Sequence, residues 1–169
     1  EAQNPIHFAI SLSGEPTIYP KIGELIAELR KQKKTSFLVT NGLHPEKLKE
    51  LARKKQLPTQ LYISVNAPNE KLYQKIHRSS MKDAWKKLNE TLEFLPSINN
   101  NAKNFSKRNF GATKSKAAPS RRQQQDFVGT RTVFRTNLIK DLNMNDEYVG
   151  QYADLIKKSQ PMFVEIKGF

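Results

Sequence analysis

Several short runs in this sequence carry residue types that could do chemistry. Gly14-Glu15-Pro16-Thr17 sets a flexible backbone beside a carboxylate, following Ser13. Glycine lets carbonyl oxygens approach a ligand and glutamate accepts hydrogen bonds, so this pairing suits an ammonium group. Taken alone the tetrapeptide is equally a loop turn. Thr40-Asn41-Gly42 closes an apolar run with a hydroxyl and an amide, and is also a common turn signal. Ser64 and Asn66, one residue apart in an extended run, point to the same side. They either hydrogen-bond the hydroxyls of a ribose or merely end the strand. Lys140 and Lys167 close two later β-rich runs, and alternation puts Lys167 on the face of Glu165. A lysine on such a face is costly to leave unpaired. It either pairs with Glu165 or Glu15, or it meets the phosphate or carboxylate of a substrate. The chain has no cysteine, which excludes a disulfide scaffold, a thiol nucleophile and a cysteine-held cluster built from these residues, and no metal ligands are read here.

The elements that must position these residues alternate in type. β-rich runs cover residues 6–13, 36–40, 60–66, 132–140 and 162–167. Between them, 20–34 places Ile22, Leu25, Ile26 and Leu29 on one helical stripe, with Pro20 near the first turn, and 45–55 places Leu48 and Leu51 inward. A short helix is expected over 69–77. A longer one over 81–95 carries Trp85, Leu88, Leu92 and Leu95 on one stripe. Asn145 suits the N-cap of a last helix bearing Tyr148, Val149, Tyr152, Leu155 and Ile156. Strands alternating with helices predict parallel pairing through right-handed crossovers. In such folds function gathers at the carboxyl ends of the strands, and all five candidate strands end in small or polar residues.

The 169 residues fit one domain, and the formal net charge of +13 invites polyanions. The charge is uneven. Ser97–Arg131 holds eight basic residues against one acid, Asp126, with few large apolar residues and no periodicity. Such a stretch buries too little apolar surface to offset the entropy of ordering it. Residues 97–130 are therefore expected to be a mobile, basic, low-complexity insertion within a single domain spanning 1–169. It is either a solvated loop or an arm contacting an RNA backbone through Lys107, Arg108, Arg121 and Arg122, with Phe105 and Phe110 free to stack on bases. No apolar run approaches the roughly 20 residues of a spanning helix. The first residues lack the basic start and apolar run of a signal peptide and there is no initiator Met. The expectation is a cytoplasmic protein with no membrane partner, and a piece of a longer chain.

In this order the motifs are specific. The runs Leu12–Pro20 (LSGEPTIYP), Ser36–Gly42 (SFLVTNG) and Pro58–Pro68 (PTQLYISVNAP), followed by Arg135–Asn143 (RTNLIKDLN) and Phe163–Phe169 (FVEIKGF), resemble the radical S-adenosylmethionine core of the tRNA 4-demethylwyosine synthases. The resemblance spans the chain except about 97–130. It implies an α/β fold, a partial (β/α) barrel of the radical S-adenosylmethionine type, open where its first strand is missing. It also implies a lyase that converts N1-methylguanosine at position 37 of phenylalanine tRNA, with pyruvate as carbon donor, in wybutosine biosynthesis. A [4Fe-4S] cluster held by three cysteines, absent here, cleaves S-adenosylmethionine reductively and draws on an electron donor. FMN in a separate reductase domain of the whole protein remains open.

By the same resemblance, Ser13, Gly14, Glu15 and Pro16 match the strand end that receives the cofactor's methionine amino group. Thr40 and Asn41 lie at the next strand mouth, Ser64 and Asn66 on the ribose side, and Lys140 and Lys167 near the substrate. The sequence also departs from the family: Asn66 stands where Asp is common, only Arg78 survives of an Asp-Arg-Pro, and Thr136-Asn137 replaces Leu-Thr. Without cluster cysteines, the 169 residues alone are expected to be inactive. The alternative is a non-catalytic basic RNA-binding module, or a degenerate paralogue keeping only the fold. A Cys-x3-Cys-x2-Cys loop upstream of Glu1 separates these readings.

Overall fold

Alternation of apolar residues at period two and period 3.6 builds a single parallel sheet with its helices on one face. The computed structural model describes residues 3–11, 13–110 and 129–168, with the backbone alone given for 100–110. The strands are β1 (His7–Ile10), β2 (Thr35–Thr40), β3 (Gln60–Ser64), β4 (Arg131–Leu138) and β5 (Phe163–Gly168). The helices are α1 (Ile22–Lys31), α2 (Pro45–Arg53), α3 (Glu70–His77), α4 (Ala84–Phe110) and α5 (Val149–Ser159). All four strand pairings are parallel, in the spatial order β1-β2-β3-β4-β5. A sequential order with no reversal is that of a (β/α) barrel rather than a doubly wound sheet. Five parallel strands in a partial barrel are the architecture that the sequence predicts.

The register divides the residues between two faces. Leu38, Leu61, Ile63 and Phe134 are fully buried beneath the helices, together with Ile22, Ile26, Leu48, Leu51, Leu88, Leu92 and Leu95. The opposite, concave face carries Val39, Tyr62 and Val133 deep in the sheet, then Ser64, Arg135 and Glu165 in register, and Asn137 beside Lys167. Gly42 follows β2 at φ +74, where an added Cβ would stand 3.0 Å from Leu88 and 3.1 Å from Ile63. Both backbone conformation and close packing require glycine there.

The structure moves several boundaries. α4 does not stop at Pro96 but runs to Phe110. Ile98 and Asn99 are buried, and Asn99 accepts from the Thr132 hydroxyl at 2.8 Å and donates to the Gln160 carbonyl at 2.5 Å. A proline removes one helical hydrogen bond, and this packing offsets the loss. Thr130 is buried too, its hydroxyl donating to the Pro58 carbonyl at 2.8 Å. Both ends of the expected insertion thus belong to the packed core. Residues 111–128, with Arg121 and Arg122, lie outside the described residues, as do the side chains of Phe105, Lys107, Arg108 and Phe110. Pro20 precedes α1 rather than entering it, and Leu25 and Val149 point outward, 43% and 65% exposed. Asn145 precedes a 3-10 turn (Asp146–Tyr148) without a side-chain capping bond.

Candidate functional site

Glu15 organises the first strand mouth. β1 ends at Ile10, so Ser13 and Gly14 lie in the following bend rather than in the strand. Ser13 is exposed, and Gly14 has φ +75 with open space around it, so conformation rather than crowding selects glycine. Pro16 opens a 3-10 turn (Pro16–Ile18) capped by Glu15. One Glu15 oxygen accepts from the Thr17 amide at 3.1 Å, the Thr17 hydroxyl at 2.6 Å and the Thr40 hydroxyl at 2.6 Å. The other accepts from the Asn41 amide at 2.8 Å. Four donors leave this carboxylate little capacity for an ammonium, and its plain role is to lock the β1 loop to the end of β2. Thr40 is buried in this arrangement, and Asn41 accepts from the Leu43 amide at 3.0 Å.

A second knot ties β3 to β4. The Asn66 side-chain oxygen accepts from the Asn137 amide at 3.0 Å. Asn143, buried, donates to the Asn66 carbonyl at 2.7 Å and the Asn137 carbonyl at 2.8 Å, and accepts from the Ile139 amide at 2.6 Å. This clasp ends β4 at Leu138 and turns the chain, with Asp141 at φ +60. Lys140 therefore sits exposed in a turn and is not the end of a strand, a correction to the sequence reading. No hydrogen bond or ion pair to it is found among the described residues.

Between the two knots the concave face gathers charge. Lys167 lies 3.3 Å from Glu165, and Arg135 Nε 3.8 Å from the same carboxylate oxygen. Of the two partners the sequence offers for Lys167, the structure selects Glu165. These groups are partly exposed, where an ion pair is worth about 0–1 kcal/mol. At 3.8 Å the Arg135 contact is too long for a hydrogen bond, and Arg135 Nε and Asn137 Oδ1 are both buried without a hydrogen-bond partner. Ser64 is the register neighbour of Arg135. Arg135 and Asn137 are functional candidates that the sequence reading did not single out as site residues. The signal was present in the alternation of β4, which puts both on the face of Glu165 and Lys167.

A donor (Arg135 Nε) and an acceptor (Asn137 Oδ1) are thus left unsatisfied toward the strand ends, where a ligand carrying both a donor and an acceptor would pair them. The chain offers no thiolate for an iron–sulfur cluster, and among the described residues no group of three metal-ligating side chains converges. None of the described helices is long and apolar enough to cross a membrane.

Comparison with known proteins bears on this site. The Radical SAM superfamily model matches residues 1–100. A Pyrococcus horikoshii protein named S-adenosyl-L-methionine-dependent tRNA 4-demethylwyosine synthase is 37% identical over 169 residues, all of this chain and 40% of that protein. The Saccharomyces cerevisiae protein of the same name is 36% identical over 162 residues, 96% of this chain and 16% of its own length. Among solved structures, TYW1 with a lysine-pyruvate adduct bound superposes with a TM-score of 0.70 at 29% identity, over 98% of this chain and 42% of that one. Archaeal TYW1 gives 0.68 at 28% identity, over 98% and 43%. The chain thus spans less than half the length of these relatives.

Proposed function

This chain belongs to the radical SAM superfamily, and on that premise we propose that it is the central part of the catalytic domain of a tRNA 4-demethylwyosine synthase. The observation that carries the proposal is similarity over nearly the whole chain to synthases of that name, and the unpaired Arg135 Nε and Asn137 Oδ1 at the strand ends support it. Membership of the superfamily implies S-adenosylmethionine and a [4Fe-4S] cluster. Together these supply a reductively generated carbon radical, which the protein's own side chains do not make. The cluster's ligands lie outside these 169 residues, and FMN in a separate reductase domain remains part of the proposal for the whole protein.

The chain's own residues bind and orient. Gly14 and Pro16 shape the first strand mouth, which Glu15 holds rigid against Thr40 and Asn41. Ser64 faces the ribose with the Asn66 side-chain nitrogen, since the Asn66 oxygens are held by Asn137 and Asn143. Arg135 and Asn137 offer one donor and one acceptor to the charged end of the cofactor. Lys167, steadied by Glu165, meets an anionic group of the substrate, and Lys140 stands at the mouth. We assign Lys167 an electrostatic rather than a covalent role. The substrates are phenylalanine tRNA carrying N1-methylguanosine and pyruvate, the latter consistent with the lysine-pyruvate adduct bound in the solved TYW1. Similarity to catalytic relatives across the chain does not favour a non-catalytic RNA-binding module. A cytoplasmic location accords with a tRNA substrate.

The test is made on the full-length protein with its cluster reconstituted. Given methylguanosine-containing tRNA, pyruvate, S-adenosylmethionine and a reductant, nucleoside mass spectrometry is expected to find the tricyclic base. Cofactor cleavage without any change to the tRNA sinks the proposal.

A further inference from the structure

We propose that the outer rim between α3 and α4 is an RNA-contact surface, gripping the single-stranded nucleotides that flank the base being modified. This deepens the tRNA reading above and rests on it.

The place is fixed by contacts. α4 runs from the carboxyl end of the strands toward their amino end: Thr91 donates to the carbonyl of Gly42, just past β2, at 2.6 Å, while Asn99 bonds Thr132 near the start of β4. Ala84 and Trp85 stand two turns above Thr91, about 10 Å higher. At the same end, Asn69 caps α3 and donates to Gln151 of α5 at 2.7 Å. The α3–α4 junction therefore rises on the side where Asn66, Arg135 and Lys167 gather.

A cavity of about 120 Å³ opens there, bordered by Glu70, Tyr73, Arg78, Ser79, Lys82 and Trp85 among others. Two rings line it, Tyr73 and Trp85, 5.6 Å apart between centroids, and His77 backs Tyr73 at 4.5 Å from outside the lining. Tyr73 is buried and Trp85 partly exposed, so the indole is the ring a base can reach. Arg78 and Lys82 border it, and Lys71, Lys75 and Lys86 lie on the same two helices, all five exposed and none with a carboxylate within 4 Å among the described residues. Of the nearby acids, Asp83 pairs with Lys87 at 3.7 Å, while Glu70 accepts from the neutral Gln74 amide at 3.3 Å and keeps its charge among the surrounding cations. His77 adds no charge at neutral pH, because burial pushes its imidazole below the ordinary value.

Elsewhere the lysines have a local reason. Lys31, Arg53, Lys157 and Lys158 occupy last turns, where the helix dipole favours cations. Lys71, Lys82 and Lys86 cluster at helix starts, where the dipole opposes them. Lys75 and Arg78 end α3 and have the same local reason as the lysines elsewhere, but for Lys71, Lys82 and Lys86 the dipole offers none, and a polyanion outside would. Cations near a partly exposed indole form the combination that holds single strands: charge for phosphates and a ring for a base. A nucleotide at an anticodon-loop position must be splayed out to enter a barrel mouth, which leaves its neighbours lying over the rim.

The experiment uses the full-length protein and unmodified phenylalanine tRNA, with affinity measured across a salt series. The rim variant Lys71→Gln, Arg78→Gln, Lys82→Gln, Lys86→Gln should lose affinity, and the slope of log affinity on log salt should fall by about 3. A control variant at the opposite end, Lys31→Gln, Lys33→Gln, Arg53→Gln, Lys55→Gln, removes the same charge and should keep most of the slope. Quenching of tryptophan fluorescence by tRNA should also be smaller in Trp85→Phe than in the wild type. An unchanged slope in the rim variant, or equal losses in both variants, overturns the rim assignment. A wild type that binds no tRNA at all overturns the tRNA reading beneath it.

Discussion

At the scale of single residues, Glu15 and Lys167 show how a motif's chemistry depends on what else is within reach. Glu15 accepts four hydrogen bonds, from Thr17, Thr40 and Asn41. Glu15→Gln keeps the shape but turns one acceptor oxygen into a donor facing other donors. About 1–3 kcal/mol of stability should be lost, read as a lower unfolding midpoint in denaturant, with cofactor affinity falling alongside because the loop loosens. An unchanged midpoint would mean that the four contacts are individually dispensable. Lys167 is held by a partly exposed carboxylate, so little of the fold depends on it. In the full-length protein, Lys167→Met should cut turnover on methylguanosine-containing tRNA at least tenfold, about 1.4 kcal/mol. Uncoupled cleavage of S-adenosylmethionine should stay largely intact. Joint loss of cleavage and thermal stability would make the lysine part of the scaffold.

At the scale of elements, the clasp made by Asn143 decides where β4 ends and what lies at the rim. It bonds Asn66, Asn137 and Ile139 at once and is buried. Asn143→Ala strands two carbonyls and an amide in a packed turn and should cost about 2–4 kcal/mol. Hydrogen exchange should then speed up at Asn137 and Ile139 while the α1 amides keep their protection, whereas uniform loss of protection would make the effect global. The clasp also marks the limit of what the sequence discloses. The five strands and the buried stripes of α2 and α4 are legible because they follow from periods of two and 3.6. The end of β4 is not, because the Asn143 side chain, five residues past Leu138, closes it. Continuation of α4 through Pro96 is equally hidden: proline signals a stop, and only the sites waiting for Ile98 and Asn99 override it. Glu15 reads as a ligand acceptor until Thr40, 25 positions away in sequence, is seen to occupy it. Arg135 meets Glu165 only through the β4–β5 register, which pairs residues 30 positions apart and is set by folding rather than by local pattern.

At the scale of the whole molecule, the proposed tRNA contact has two parts of the +13 net charge to draw on: the α3–α4 rim and the basic stretch within 97–130. Their contributions separate because counterion release counts contacts rather than total charge. If Lys107, Arg108, Arg121 and Arg122 meet the tRNA backbone, neutralising all four in the full-length protein should weaken binding and flatten its salt dependence by at most about four phosphate contacts. If the rim meets different phosphates, combining the two sets of substitutions should give slope losses that add, as distant independent sites do. Losses that fail to add would place both sets on shared phosphates. A salt slope unmoved by the four stretch substitutions would return that segment to the role of a solvated loop, leaving RNA contact to the rim and the barrel mouth. The measurement is a tRNA titration at several salt concentrations for four proteins: the wild type, each set alone, and both together.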